Sequence, residues 1–157
     1  MQKDQELEQD LEQIAKEYPD VAEELLDLSK ALNAKKKQEK AQKNFIPYVK
    51  HMWKDVIIGK HHKRFAKKLE GVAKGEIKRL IVNMPPRHTK SEFASVFFPS
   101  WLLGINPKLK LMQITHTAEL AFRFGRKVRD LIDSPEYSEV FPEVSLKADN
   151  KSAGRWE

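Results

Sequence analysis

From Arg79 the chain reads RLIVNMPPRHTKSEFASVFF, and no other stretch constrains its fold so tightly. Leu80-Ile81-Val82 is a short apolar run of the kind that forms a buried parallel strand. A loop follows in which Pro85 and Pro86 offer no N–H donors, and Lys90-Ser91 then opens a new helix. Strand, tight loop and helix are the setting of a phosphate-binding loop. There, free N–H groups and the helix dipole converge on an anion. A lysine reaches the β/γ-phosphates and the next Ser/Thr ligates Mg²⁺. The candidate cofactor-binding segment is therefore Pro86, Arg87, His88, Thr89, Lys90 and Ser91, with Ser91 as the metal ligand. Its donors fall to His88, Thr89, Lys90 and Ser91, while Arg87 adds fixed positive charge. Met84 and Thr89 stand where such loops carry glycine, and a β-branched residue tolerates positive φ poorly. Thr89-Lys90-Ser91-Glu92 also matches a Ser/Thr-x-x-Glu capping box, which accounts for the same residues without any ligand.

The surroundings supply the fold class. A second apolar run, LKLMQITH, covers Leu109–His116 and leads into TAELAFRFGRKVRDLIDS. There Leu120, Phe124, Val128 and Leu131 share one apolar helical face, with Arg123, Arg126, Lys127 and Arg129 mostly elsewhere. Upstream, Phe65, Leu69 and Val72 fall at helical spacing, and Gly75 is placed to end that helix. Strand–helix–strand–helix predicts an α/β fold: an incomplete P-loop NTPase parallel sheet with flanking helices.

Ahead of it lies an acidic helical extension. Residues 1–33 hold ten Asp/Glu against three Lys, a net of −7, so the remaining 124 residues carry +13 of a chain whose total is +6. Leu7, Leu11, Ile14, Tyr18, Val21, Leu25, Leu28 and Leu32 alternate in steps of four and three, the seam of a packed helix pair. Pro19 divides it into helices over about 4–17 and 19–33, since proline suits a first turn and breaks an interior. AKKKQEKAQK reads as an exposed helical linker, so the expected domains are 1–44 and 45–157. Between Lys35 and Arg79, fifteen Lys/Arg face four acids, a balance suited to a phosphate-rich partner or to a plain solvated face.

The chain has no cysteine, so disulfides and thiolate metal sites are excluded. Its five histidines show no ligand spacing and read as surface or loop residues. No apolar run approaches the roughly 18–20 residues of a membrane span, and the N-terminus has no signal core. A reducing, cytoplasmic setting follows.

The residues GEIKRLIVNMPPRHTKSEFASVFFPSWLLGINPKLKLMQITHTAELAFRFGRKVRDLIDSPEYSEVFP resemble the ATPase domain of the large terminase subunit of tailed bacteriophages. The likeness runs from about Phe45 to the end and is carried by MPPRHTKSE, FPSWLLG, THTAELA, VRDLI and SPEYSEVFP. It implies a P-loop ATPase that drives double-stranded DNA into a procapsid in the cytoplasm of an infected bacterium. ATP and Mg²⁺ are the implied cofactors. The implied partners are a portal protein, a small terminase subunit and further copies in a homo-oligomeric ring. By the same resemblance Lys90 and Arg87 are the catalytic residues, and His61 and His62 lie where an adenine contact would sit. Leu109–Glu157 contains no apolar strand ending in Asp-Glu, so the chain reads as the N-terminal part of that domain, short of its second acidic motif. Two alternatives remain. One is a helicase-like ATPase; the other is a non-enzymatic basic module whose 84–92 loop only caps a helix.

Overall fold

The computed structural model describes residues 18–147, so the helix expected over 4–17 and the chain end from 148 lie outside it. Its helices are α1 (Pro19–Lys43), α2 (Phe45–Met52), α3 (Lys60–Ala73) and α4 (Lys90–Glu92). A π-helical stretch, Phe93–Phe97, leads without a break into α5 (Phe98–Ile105), followed by α6 (Ala118–Ile132) and α7 (Pro135–Val140). The chain divides into two compact units, Met1–Lys37 and Gln38–Glu157, and the division falls inside α1.

The expected α/β fold with an incomplete parallel sheet is not formed: the described residues contain no β-strand. Residues 80–85 and 109–115 form neither helix nor strand. Leu80, Val82 and Met84 turn inward onto the core, while Ile81 is 88% exposed, and Met112 and Ile114 are similarly exposed. An apolar, β-branched run prefers extended backbone, but a sheet also needs a neighbour in register to take its N–H and C=O groups. Neither segment finds one among the described residues.

In the first unit α1 begins at Pro19, where its fixed φ and missing N–H cost nothing. Tyr18, Val21, Leu25, Leu28 and Leu32 are all exposed, so the apolar seam has no partner among the described residues. In the second unit the end of the lysine-rich stretch is not a free linker. Ala41 is buried and its carbonyl accepts from Trp101 Nε1 at 3.0 Å. Gln38 and Gln42 both donate to the Val140 carbonyl.

The core of this unit is aromatic. Phe45 is fully buried and meets Phe93, Phe98 and Trp101 at centroid distances of 5.7, 5.9 and 5.4 Å. Such edge and tilted pairs add about 0.5–1.5 kcal/mol each to area burial. The Phe45 N–H donates to Glu70 Oε1 at 2.8 Å, so a carboxylate of α3 caps α2 where the Asn44 side chain does not. Gly75 ends the α3 segment at φ +76°, donating to the Val72 carbonyl as its sequence position predicts. On the expected apolar face of α6, Val128 is buried, Leu131 packs against the core, and Leu120 and Phe124 are half-buried; Ile132, outside that expected set, is also buried.

Pro99 shapes the helix that carries the loop. It has no N–H for the Ser95 carbonyl four residues back. That carbonyl accepts instead from Gln113 Nε2 at 3.3 Å, which ties the 109–115 segment to the helix. The π-helical turn lies immediately upstream, and such turns are frequent beside functional sites.

Candidate functional site

The loop between Met84 and Glu92 lines an open groove of about 470 Å³. A larger groove of about 660 Å³ adjoins it through Met84 and is bordered by Lys60, His61, Arg64 and Lys68 of α3. All six sequence-predicted residues, Pro86 to Ser91, line the first groove together. Arg87 is exposed and Lys90 half-buried. No side chain caps the helix that starts at Lys90, so the N–H groups of its first turn have no side-chain acceptor.

Two residues here adopt the left-handed conformation: Arg87 at φ 63° and Thr89 at φ 55°. No other described residue except glycine has a positive φ. Such backbone costs on the order of 1–3 kcal/mol per residue and persists only where its surroundings impose it. Thr89 therefore holds the conformation a glycine would hold at that place in a phosphate loop.

The capping-box reading of Thr89 and Glu92 is overturned. Thr89 Oγ1 donates to the His88 carbonyl at 2.7 Å instead of accepting from the helix. Glu92 accepts from Lys127 Nζ of α6 at 2.6 Å. That pair neutralises the one carboxylate bordering the groove, where bare negative charge would repel an anion.

Sequence reasoning missed the residue that holds the loop. His62, read there as a surface or loop histidine, is buried and only 6% exposed. Its ring stacks on Phe93 at 4.8 Å. The signal was available, because His62, Phe65, Ala66 and Leu69 follow the i, i+3, i+4, i+7 period of the buried face of α3. His62 Nδ1 accepts from the Gly59 N–H at 3.0 Å, so Nε2 carries the proton in the neutral ring. That Nε2–H donates to Thr89 Oγ1 at 2.7 Å, with His61 Nε2 a second acceptor at 3.0 Å. Burial holds the His62 pKa below its ordinary 6.5, helped by the nearby His61 and His88 and opposed by the Ile57 carbonyl.

His88 lies across from His61 with ring centroids 5.5 Å apart, and its Nδ1–H donates to the Pro86 carbonyl at 2.9 Å. Among the described residues no cluster of three or more His, Asp or Glu could ligate a metal. Ser91 is exposed at the mouth of the groove, where its hydroxyl could serve a metal brought in by phosphate oxygens. No family model, curated protein or solved structure matches the chain.

Proposed function

We propose that the 84–92 loop binds the phosphates of ATP, and that the chain is the ATPase part of a motor that packages viral DNA. The observation that carries the nucleotide reading is the pair of left-handed residues, Arg87 and Thr89, in the uncapped turn before Lys90. Alternating backbone of this kind aims N–H groups at a common point, and an anion is what such a point receives. Lys90 and Arg87 line the same groove and supply its positive charge. The Ser91 hydroxyl would ligate Mg²⁺, which when bound neutralises charge on the phosphate oxygens. The packaging role rests on the motif resemblance, as do the portal, the small subunit, the ring of copies and the setting in an infected bacterium.

A DNA partner has separate support from the outer face of α3. Lys60, Lys63, Arg64, Lys67 and Lys68 are all exposed there, opposite the buried His62, Phe65, Ala66 and Leu69. Phosphates neutralised by such a face release counterions, and binding then falls steeply with salt. A basic module without enzymatic activity would share this face, so the loop decides between the two readings.

Titration calorimetry with MgATP on the 157-residue chain tests it. Losing a charge-assisted hydrogen bond costs about 1.5–3 kcal/mol, so Lys90→Ala should weaken binding by roughly tenfold or more with the thermal midpoint unchanged. Equal affinity in the two proteins would leave the loop without a nucleotide role.

A further inference from the structure

The loop has solved a steric problem in an unusual way. A phosphate loop needs left-handed backbone just before its lysine, and glycine supplies it without strain. This chain has Thr89 at that place, held at φ 55°. A β-branched residue does not stay there unaided. Its side chain is bound at one atom in two directions, accepting from His62 Nε2–H and donating to the His88 carbonyl, each at 2.7 Å. The donor is itself fixed. Gly59 N–H sets the tautomer of His62, and the ring is buried against Phe93 of the same helical run that the loop enters. The hydrogen bonds from Gly59 through His62 and Thr89 to His88 therefore run in one direction.

We propose that His62 is a positioning residue for the loop: its Nε2–H latches Thr89 in the left-handed conformation and so replaces the freedom of the missing glycine. The latch reaches any ligand only through Thr89 and the amides that follow. Its effect on nucleotide affinity rests on the ATP reading above; its effect on the loop does not. The latch makes a conditional demand. Thr89 needs His62, whereas a glycine at the same place needs nothing.

The experiment is a substitution series read two ways on the 157-residue chain. Backbone amide resonances of Lys90 and Ser91 report the loop, ¹⁵N shifts of His62 report its tautomer, and calorimetry with MgATP reports binding. In the unaltered protein His62 should carry its proton on Nε2. Thr89→Ser keeps the acceptor and should leave both amides unmoved. Thr89→Val keeps the β-branch and removes the acceptor. It should shift both amides and weaken MgATP by about tenfold, the equivalent of one net hydrogen bond near 1.4 kcal/mol. His61 Nε2, already 3.0 Å away, can take the released donor, so this loss reports the loop and not an orphaned proton. Thr89→Gly should leave the Lys90 and Ser91 amides near their unaltered positions, because glycine takes positive φ without strain. His62→Leu should cost about tenfold alone and almost nothing when combined with Thr89→Gly, a rescue that a merely structural role for His62 would not produce.

If His62→Leu does not fold, the Thr89 series and the tautomer carry the test by themselves. The latch is overturned if His62 carries its proton on Nδ1. It is equally overturned if Thr89→Val matches Thr89→Ser, or if the His62→Leu penalty persists beside Thr89→Gly. Should no protein bind MgATP, the unaltered one included, the nucleotide reading fails while the Lys90 and Ser91 amides still decide the latch.

Discussion

Tyr48, Ser100 and Tyr137 show how single polar atoms are paid for in an aromatic core. Ser100 is fully buried, and its Oγ–H donates to the Phe97 carbonyl at 2.9 Å. The Tyr48 hydroxyl therefore donates to Ser100 Oγ, at 2.7 Å, and the Tyr137 hydroxyl donates to the Ser100 carbonyl at 2.9 Å. Burial pushes both phenols well above their ordinary ionisation range, so they act as donors at every working pH. Tyr48→Phe keeps the ring and deletes one donor. It should lower the urea unfolding free energy by about 0.5–1.5 kcal/mol, the net value of a buried hydrogen bond. A change near zero would mean that Ser100 Oγ is satisfied by Phe97 alone. The loop obeys the same rule, since Thr89 keeps its strained backbone only because both roles of its hydroxyl are filled.

Helices here are placed by close approach as much as by apolar period. Gly104, near the end of α5, lies under the ring of Phe141, and a Cβ there would come within 2.4 Å of Phe141 Cε2. The ring cannot retreat freely, because Tyr48 and Tyr137 flank it at 6.0 and 5.2 Å. Gly104→Ala should therefore destabilise the protein by about 1–3 kcal/mol, the usual cost of overpacking. Its chevron or urea midpoint will show this, and a stabilised variant would mean that the ring has room to move. On α3 the two faces divide the labour, with the buried side positioning His62 and the other side lined with exposed cations. Lys63→Glu with Lys67→Glu should weaken double-stranded DNA binding and flatten its salt dependence, with the slope falling by about 0.9 for each phosphate that is no longer neutralised. An unchanged slope would return this face to the status of a solvated surface.

The second compact unit joins its loop to its core through one titrating group. His62 is held below its ordinary 6.5 by burial, and the titratable side chains facing it are His61 on its own helix and His88 on the loop. As pH falls through the ordinary range, the unfolded chain takes up a proton at His62 that the folded chain refuses. Stability is then lost until the folded pKa is also passed. The urea midpoint should be lower at about pH 5.5 than at about pH 7.5, and His62→Gln should shrink that difference. A difference unaffected by the substitution would place the titration elsewhere. No helix among the described residues is long and apolar enough to cross a membrane. The exposed apolar seam of α1 belongs to the first unit.

Local rules were legible from the residues alone. Pro19 set a helix start, Gly75 a helix end, and the apolar period of α6 its buried face. At Thr89 the residues alone raised positive φ as an objection to a phosphate loop, and the structure holds Thr89 there at φ 55°. Each of these depends on backbone sterics or on neighbours within four residues, which the linear order contains. Tertiary structure decided what depends on distant atoms. Whether Leu80–Met84 and Leu109–Thr115 join a sheet turns on a neighbour in register, and among the described residues neither segment has one. Whether Thr89 caps its helix or hangs from a histidine turns on His62, 27 residues away in sequence and 2.7 Å away in space. A hydroxyl can satisfy either arrangement, and only the packing of α3 against Phe93 brings the donor that wins.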